Sequence, residues 1–283
     1  MTPVARFVDL HAHSTASDGA FAPAAVVAAA SAAGVSALAL TDHDTLGGLA
    51  EATSAGIELG VRIITGVELS TVDGGAEIHL LGLHLSRLGE LERHLLTFRT
   101  ARRTRAERIV HRLNEIGVAV SLDSVLEIAD GAAIGRPHIA RAMIASGWAH
   151  DFRDAFDRYL GNGRPAFVAK YALPLADGVQ LVHRSGGLAI VAHPGPIGTR
   201  RRVEAWIALG VDGIEIRHPG HGAEDTARLQ ALADHFGLVP SGGSDWHGAM
   251  EGARVLGGMR VPHEWLERQE ARLRDRMAQG LVA

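Results

Sequence analysis

Short apolar runs that lead into histidine or a carboxylate recur along this chain, and this pattern limits its fold more than any other feature. The first run, at residues 7–8, leads into Asp9 and then into His11 and His13. In an extended strand, residues two apart point to the same side, so both histidines can face one cation. An isolated pair of this kind is common in unrelated proteins, and the repetition along the chain is what gives it weight.

Six further apolar runs lead into residues of the same kind, at or just beyond the end of each run. In chain order these residues are Asp42, His43, Asp44, Glu68, His79, His193, His218, Asp245 and His247. Helical patterns lie between most of the runs, at 23–33, 46–59, 175–184, 201–209 and 223–236. Alternating strand and helix indicate parallel βα units, whose strand ends all face one rim. The sequence therefore predicts that these side chains meet at one rim.

The alternation stops between residues 91 and 164, where helical patterns follow one another without strands. We therefore expect a barrel formed by 1–90 and 165–283, with 91–164 as a helical insertion that caps the substrate. Most arginines of the insertion, Arg102 and Arg105 among them, fit an ordinary solvated face. Arg136 differs, because it lies in a Gly-Arg-Pro-His sequence at a loop-to-helix junction, where arginine and backbone N–H groups favour an anion.

Composition narrows the kinds of site that the chain can hold. The 283 residues include 16 histidines and no cysteine, so any metal must be bound through nitrogen and oxygen. No apolar run has the length of a membrane span and no signal-peptide pattern is present, so we expect a cytoplasmic protein that does not act at a membrane. A net charge of −4 argues against non-specific affinity for nucleic acid, and stable DNA binding is not expected. The pattern implies no particular oligomeric state.

Five short motifs resemble, in content and in order, those of the PHP (polymerase and histidinol phosphatase) family. They are Asp-Leu-His-Ala-His-Ser from residue 9 with Ser-Asp-Gly from residue 17, Thr-Asp-His-Asp from 41, Gly-Val-Glu from 66, His-Pro from 193, and Ser-Asp-Trp-His from 244. The helical insertion with its Gly-Arg-Pro-His sequence resembles one branch of this family. Members of that branch remove phosphate from nucleoside 3′,5′-bisphosphates, and some degrade short RNA from its 5′ end.

The resemblance implies an α/β fold, a distorted seven-stranded (β/α) barrel with three divalent metal ions at the carboxyl ends of its strands. Carried over position by position, it assigns His11, His13, Glu68 and Asp245 to one ion, Asp18, His43 and His247 to a second, and Glu68, His79 and His193 to a third. Glu68 would bridge two ions, and Asp18 stands where some relatives have a histidine. Because the donors are nitrogen and oxygen, Mn²⁺, Zn²⁺ and Fe²⁺ are the expected ions.

Three further polar residues near the predicted rim have expected roles beside the metals. We expect His218 either to protonate the leaving oxygen or to hydrogen-bond the substrate. Asp9 and Asp42 precede expected ligands, and we expect them to orient imidazoles, because a metal-bound histidine usually donates its other N–H to a carboxylate or carbonyl.

Three cations are expected to bind substrate phosphate away from the metals. Arg136 is the expected anion contact within the insertion. Lys170 follows the insertion, and Arg200 lies beyond His193, so both could reach a second phosphate from the rim. For Lys170 and Arg200, ordinary surface charge is the competing explanation.

The expected site favours hydrolysis without a protein nucleophile. Clustered divalent ions can lower the pKa of a bridging water and hold a phosphoryl group for in-line attack by hydroxide. A serine nucleophile is not supported, because the chain has no G-x-S-x-G sequence. We therefore expect a metal-dependent phosphoesterase that acts on the 3′-phosphate of nucleoside 3′,5′-bisphosphates, or on short 5′-phosphorylated RNA. The alternatives are a phosphatase for another small phosphomonoester, such as histidinol phosphate, and a metal-binding module without catalysis.

Overall fold

Strands and helices alternate over most of the computed structural model, which describes residues 7–252 and 254–278. The strands are β1 (Phe7–Ala12), β2 (Val35–Leu40), β3 (Arg62–Asp73), β4 (Ala76–Leu83), β5 (Leu173–Pro174), β6 (Leu188–Val191), β7 (Gly213–Arg217), β8 (Val239–Gly242) and β9 (Val261–Pro262). The α-helices are α1 (Pro23–Ala32), α2 (Leu49–Leu59), α3 (Gly89–Glu115), α4 (Leu122–Ala129), α5 (Arg136–Ala145), α6 (Phe152–Ala155), α7 (Leu175–Arg184), α8 (Arg200–Ala208), α9 (Ala223–Phe236) and α10 (His263–Ala278).

The strands form a nearly closed barrel, which confirms the predicted α/β fold class. Eight strands are hydrogen-bonded in the order β8-β7-β6-β4-β3-β2-β1-β9, and β5 pairs with β3. Beyond β8, Trp246 forms an isolated parallel bridge with Ala12 of β1, so the two sides of the barrel meet. This approach requires glycine at Gly243, where a Cβ would lie 2.4 Å from the backbone nitrogen of His11. The sheet has eight strands in this order, rather than the seven expected, because the two-residue β9 pairs with β1.

The expected parallel order is wrong at β4. β3 and β4 form an antiparallel hairpin, and β4 also pairs antiparallel with β6. The hairpin turn is Gly74-Gly75, where both residues have positive φ (56° and 81°), so the strands join through a two-residue turn without a crossover helix. Glu68 and His79 consequently lie within the hairpin strands and not at carboxyl ends.

The helices agree closely with the sequence pattern around the barrel. Helices α7 and α9 occupy the predicted ranges, whereas α2 starts three residues later than predicted, at Leu49. Gly60, Gly210 and Gly237 follow their helices with φ of 69°, 96° and 65°, the left-handed conformation that commonly ends a helix. Helix α10 was not among the predicted elements. Within the described residues, no helix is both long and apolar enough to cross a membrane.

Helices α3 to α6 bury their apolar side chains mainly against one another. Buried residues of these helices, such as Ile109, Val125 and Met143, form a hydrophobic cluster separate from the one that fills and surrounds the barrel. Arg102 on α3 joins the two parts, because its guanidinium donates to the Asp44 carboxylate beyond β2 at 3.0 Å from Nε. Arg102 is therefore not part of a solvated face: its side chain is 11% exposed and that of Asp44 is 1% exposed.

Candidate metal centre

A single carboxylate, that of Glu68, lies at the centre of the polar rim. Glu68 is buried, and each of its two oxygens faces a different group of imidazoles. Oε2 lies 3.1 Å from His11 Nε2, 3.1 Å from His13 Nε2 and 3.1 Å from His43 Nδ1, and Oε1 lies 2.6 Å from His79 Nδ1 and 3.0 Å from His193 Nε2. A carboxylate placed in this way can be shared by two cations.

Asp245 and Asp18 extend the cluster away from Glu68. Oδ1 of Asp245 lies 3.5 Å from His11 Nε2 and 3.2 Å from His13 Nε2. Oδ1 of Asp18 lies 3.2 Å from His247 Nε2. All nine residues that the family resemblance assigned to metal thus lie in one connected group, which we call the ligand cluster. Its members are His11, His13, Asp18, His43, Glu68, His79, His193, Asp245 and His247.

Uncommon backbone conformations bring several rim residues into place. Asp44, His193 and Asp245 have φ of 51°, 30° and 50°, a region that side chains other than glycine rarely adopt. Backbone hydrogen bonds hold two of these turns: the Asp44 N–H donates to the Glu68 carbonyl at 3.0 Å, and the Asp245 N–H donates to the His11 carbonyl at 2.9 Å. Such strain is typically found at functional sites.

The donor atoms of the ligand cluster are arranged to bind cations rather than to hydrogen-bond one another. His11 donates from Nδ1 to a Glu215 carboxylate oxygen at 3.2 Å, so in a neutral ring its Nε2 carries a lone pair. That Nε2 faces a Glu68 oxygen and lies 3.1 Å from His13 Nε2, an arrangement of electron-rich atoms that needs a proton or a metal between them. In the described part of the chain, His43 Nδ1 is buried without a hydrogen-bond partner, although it faces Glu68.

Three sets of ligand atoms lie within 4.8 Å of one another and could each hold a metal ion. They are His11, His13, Glu68 and Asp245; His13, Asp18, His43 and His247; and His43, Glu68 and His79. The first set is the same as the one expected for the first metal. Compared with the ligands expected for the second metal, the second set also includes His13. Compared with those expected for the third metal, the third set has His43 in place of His193. How the ligands divide among the ions therefore stays a prediction.

Burial and neighbouring charges together shift the pKa values of the cluster members in different directions. Burial alone lowers the pKa of His13, but Asp245 and Glu68 outweigh it and raise this pKa to about 10. For His43 burial dominates and lowers the pKa to about 3, despite the charges of Glu68 and Asp18. Burial alone raises the pKa of Glu68, but the imidazoles around it hold this pKa well below its usual range. The carboxylate is thus ionised and available as a ligand.

His218 lies at the edge of the cluster, with Nε2 placed to donate a hydrogen bond. Its Nδ1 accepts from the Gly220 N–H at 2.9 Å, so the ring hydrogen is on Nε2. Nε2 lies 3.3 Å from Asp245 Oδ2, which the Arg254 guanidinium also contacts. This position suits a hydrogen-bond donor, and the role of His218 in catalysis stays a prediction.

The carboxylates expected to orient imidazoles are not the ones that do so. Asp9 accepts hydrogen bonds from the backbone N–H groups of Ser244 and Gly257 at 2.9 and 2.8 Å, and thereby holds loops in place. Asp42 likewise accepts from Ser14 and Ser17. Two described carboxylates outside the ligand cluster contact its imidazoles: Glu215 contacts His11, and Glu77 Oε1 lies 2.8 Å from His79 Nε2. Spacing missed both, although Glu77 precedes His79 by two residues in a strand and so shares its side.

The three cations expected to bind substrate occupy different surroundings. Lys170 lies at the cluster, with Nζ 3.1 Å from His79 Nε2 and 2.5 Å from Glu77 Oε1. Arg136 is half-buried in the insertion, where it donates to the Leu160 carbonyl at 3.2 Å.

Arg200 lies apart from both. In the described part of the chain its contacts are with Glu204, His235 and the Phe236 ring, and none joins it to the ligand cluster. Its expected role in substrate binding is not supported by these contacts.

Comparison with known proteins connects this arrangement to a family. The PHP domain model matches residues 9–89. A 3′,5′-nucleoside bisphosphate phosphatase of Chromobacterium violaceum is 37% identical over 257 residues, which cover 88% of this chain and 90% of the relative. A 5′-3′ exoribonuclease of Haemophilus influenzae is 38% identical over 245 residues, covering 84% and 89%. A solved structure from Bifidobacterium adolescentis is similar with a TM-score of 0.87 at 30% identity, covering 95% of this chain and 97% of that one.

Proposed function

The chain belongs to the PHP domain family, and on that premise we propose that it removes the 3′-phosphate from nucleoside 3′,5′-bisphosphates. The relatives and the fold support the broader assignment, a metal-dependent phosphoesterase that acts on nucleotides. The finer choice of substrate follows the activity in the name of the Chromobacterium relative. It also rests on the distribution of charge around the ligand cluster.

We expect the cluster to hold three divalent ions, with Mn²⁺, Zn²⁺ and Fe²⁺ as the candidates for its nitrogen and oxygen donors. Bound ions would supply an activated water and neutralise the charge that builds up on the phosphoryl oxygens. The role of Glu68 is then to hold its two groups of imidazoles in one centre, since each of its oxygens faces a separate group.

His218 has the geometry for a hydrogen bond to the leaving oxygen. Its N–H is on Nε2 and is held toward Asp245, and the Gly220 N–H fixes the opposite ring nitrogen. The ester oxygen of the departing nucleotide would accept a hydrogen bond from this N–H, which would stabilise the negative charge that develops on that oxygen. We therefore propose that His218 hydrogen-bonds the leaving oxygen and keeps its ring hydrogen, because losing the Nε2 hydrogen while Nδ1 accepts from Gly220 would leave an imidazolate.

The observation that carries the choice of a bisphosphate is a cation-rich cavity beside His79. The cavity has a volume of about 310 Å³, and Glu77, Arg105, Asn162 and Lys170 are among the residues that line it. Arg136 lies behind it and contacts Asn162 Oδ1 at 3.4 Å.

Positive charge exceeds negative charge around this cavity. Arg105, Arg136 and Lys170 stand against the single carboxylate of Glu77. Burial together with the charges of Arg136 and Arg102 lowers the pKa of Arg105 to about 10, which indicates a crowding of cations that a bound anion would relieve. A phosphate at the far end of the substrate would supply that anion, while the reacting phosphate lies at the ligand cluster.

Hydrolysis of short 5′-phosphorylated RNA is the second candidate, and the Haemophilus relative favours it. The two candidates share a 5′-phosphate bound away from the reacting group, because an RNA chain continues where the bisphosphate carries its 3′-phosphate. The same cationic cavity would serve both substrates. The bond broken at the ligand cluster would also be the same, between phosphorus and the ribose 3′-oxygen, and the substrates would differ in whether the phosphoryl group carries the rest of the RNA chain.

A turnover screen of the metal-reconstituted protein tests the proposal. Adenosine 3′,5′-bisphosphate, AMP, histidinol phosphate and a short 5′-phosphorylated RNA would be compared by kcat/KM. We expect the bisphosphate to be hydrolysed far more efficiently than AMP or histidinol phosphate, because binding energy from the remote phosphate can be used at the transition state. Equal efficiencies for mono- and bisphosphates would contradict the choice of substrate, and no turnover of any substrate would favour a module without catalysis.

A further inference from the structure

Glu215 is a fully buried carboxylate at the centre of β7 that contacts two members of the ligand cluster without belonging to it. Its Oε1 lies 3.2 Å from His11 Nδ1, and its Oε2 accepts the backbone N–H of His193 at 2.7 Å. His11 belongs to β1, and His193 follows β6 by two residues. One carboxylate therefore connects ligands from two different strands across the interior of the barrel.

The contact with His11 determines which ring nitrogen of that histidine is free. An ionised carboxylate can only accept hydrogen bonds, so Nδ1 of His11 must carry the hydrogen. In the neutral ring Nε2 then has the lone pair, and this is the nitrogen that lies 3.1 Å from Glu68 Oε2. Both oxygens of Glu215 face hydrogen-bond donors, the His11 ring and the His193 N–H, which is the arrangement that an ionised carboxylate requires.

The contact with His193 holds a strained backbone. His193 has φ of 30°, which is rarely adopted by residues other than glycine, and the hydrogen bond from its N–H to Glu215 fixes that turn. The same turn directs the His193 side chain toward the cluster, where Nε2 lies 3.0 Å from Glu68 Oε1.

We infer that Glu215 is a positioning residue of the metal centre, which sets the hydrogen position of His11 and the backbone turn of His193 so that both imidazoles face the metal. The inference rests on the proposed metal centre and adds a residue that binds neither metal nor substrate. Carboxylates that orient metal-bound histidines typically change metal affinity about 10- to 100-fold when they are replaced.

Glu215→Gln is the informative substitution, because glutamine has the same shape but only one accepting oxygen. If that oxygen keeps the His193 N–H, the amide NH₂ group faces His11 Nδ1 and forces the ring hydrogen onto Nε2, which can then no longer bind metal. If the amide turns the other way, the His193 N–H loses its acceptor. Either outcome disturbs one ligand while the volume of the side chain is conserved.

Asp42→Asn provides a matched control at the same rim. Asp42 is also a buried carboxylate, and it accepts from the backbone N–H of Ser14 and from the hydroxyls of Ser14 and Ser17. An asparagine can keep these contacts, because a hydroxyl can accept as well as donate a hydrogen bond. The control therefore removes one buried charge without changing the hydrogen position of an imidazole.

Titration calorimetry with Zn²⁺ or Mn²⁺ alone would measure metal affinity, and thermal unfolding of the metal-free proteins would measure folding. We expect Glu215→Gln to weaken metal binding about 10- to 100-fold, with Asp42→Asn close to the wild type. Both metal-free variants should still unfold cooperatively, so that a weaker affinity reflects the metal centre and not an unfolded chain. Wild-type metal affinity in Glu215→Gln would overturn the inference, as would equal losses in the two variants.

A second measurement keeps the inference testable even if Glu215→Gln does not fold. Long-range nitrogen–proton NMR correlations of the wild-type protein loaded with Zn²⁺ report which ring nitrogen carries hydrogen. We expect His11 to be protonated at Nδ1 and bound through Nε2, and the opposite pattern would overturn the inference. These measurements use no substrate, so a protein that binds metal as described but hydrolyses no nucleotide would refute the proposed function alone.

Discussion

Replacing Arg102 with methionine should remove the charged link between the helical insertion and the metal rim. Arg102 donates to the Asp44 carboxylate, which is 1% exposed and receives its other hydrogen bonds from the Ser70 N–H and hydroxyl at 2.8 and 2.7 Å. Breaking a buried ion pair from one side typically costs about 3–5 kcal/mol. Because Ser70 still donates two hydrogen bonds, we expect a loss near the lower end, about 3 kcal/mol.

Chemical denaturation followed by circular dichroism would measure this loss as a change in the free energy of unfolding. Helix α3 offers a matched control in Arg103, which pairs with Glu107 one turn along the same helix while its side chain is 59% exposed. An exposed pair of this kind contributes about 0.3–0.5 kcal/mol, so Arg103→Met should be nearly neutral. The comparison separates the buried contact from a general effect of removing an arginine.

A double-mutant cycle gives the result that would refute this reasoning. Asp44→Asn can keep its contacts with Ser70 but removes the charge that Arg102 compensates. In that background Arg102→Met should cost much less than in the wild type, with a coupling energy of at least about 1.5 kcal/mol. Additive losses, or equal losses for Arg102→Met and Arg103→Met, would show that the ion pair does not hold the insertion on the rim.

Three further predictions concern the metals and the substrate. Glu68→Gln should lose bound metal and turnover together, as measured by elemental analysis beside initial rates, and full metal content with normal rates would contradict its bridging role. Arg136→Ala should lower kcat/KM for a bisphosphate about 10- to 150-fold and leave AMP hydrolysis nearly unchanged. This range corresponds to the roughly 1.5–3 kcal/mol that a charge-assisted hydrogen bond contributes. Equal losses for both substrates would show that Arg136 is structural. In the metal-free protein the pKa of His13 is raised to about 10, so the stability that its proton contributes is complete below the unfolded pKa of about 6.5 and is lost as the pH rises toward 10. Zn²⁺ must displace this proton when it binds His13. Calorimetry at pH 8 in buffers of different ionisation enthalpy should therefore detect proton release on Zn²⁺ binding. Binding heats that do not depend on the buffer would contradict this prediction.

The fold class and the group of residues at the rim could be predicted from the sequence because both depend on local pattern. His11 and His13 share a side of one strand by spacing alone, and Asp245 and His247 follow a short apolar run in the same way. Alternating strands and helices then bring the strand ends to one rim, where the structure has these residues together. Local spacing was enough for eight of the nine members of the ligand cluster, and the family resemblance added Asp18 and the division into three sets.

The direction of β4 was predicted wrongly although a local signal was present. Gly74-Gly75 between two apolar runs is typical of a two-residue hairpin turn, and it makes β3 and β4 antiparallel. The repeated strand-end pattern predicts Glu68 and His79 at strand ends, but both lie within the strands of this hairpin. They meet because they lie on neighbouring strands of the same hairpin.

Contacts between residues distant in sequence could not be predicted, because spacing gives the side of a strand but not the partner across the barrel. Glu215 and His11 are 204 positions apart, and nothing local distinguishes Glu215 from Asp9 as the carboxylate that orients the ring. Arg102 has the same surroundings in sequence as the exposed Arg103, and only the position of α3 over the rim separates them.

The central claim, that metal bound around Glu68 hydrolyses a nucleotide phosphoester, is tested most directly by one add-back experiment. Phosphate release from adenosine 3′,5′-bisphosphate would be followed for the wild-type protein after exhaustive chelation, and again after addition of Mn²⁺. We expect no release from the chelated protein, restored release with Mn²⁺, and no restoration in Glu68→Gln. Undiminished release from the wild-type protein without detectable metal would contradict the claim.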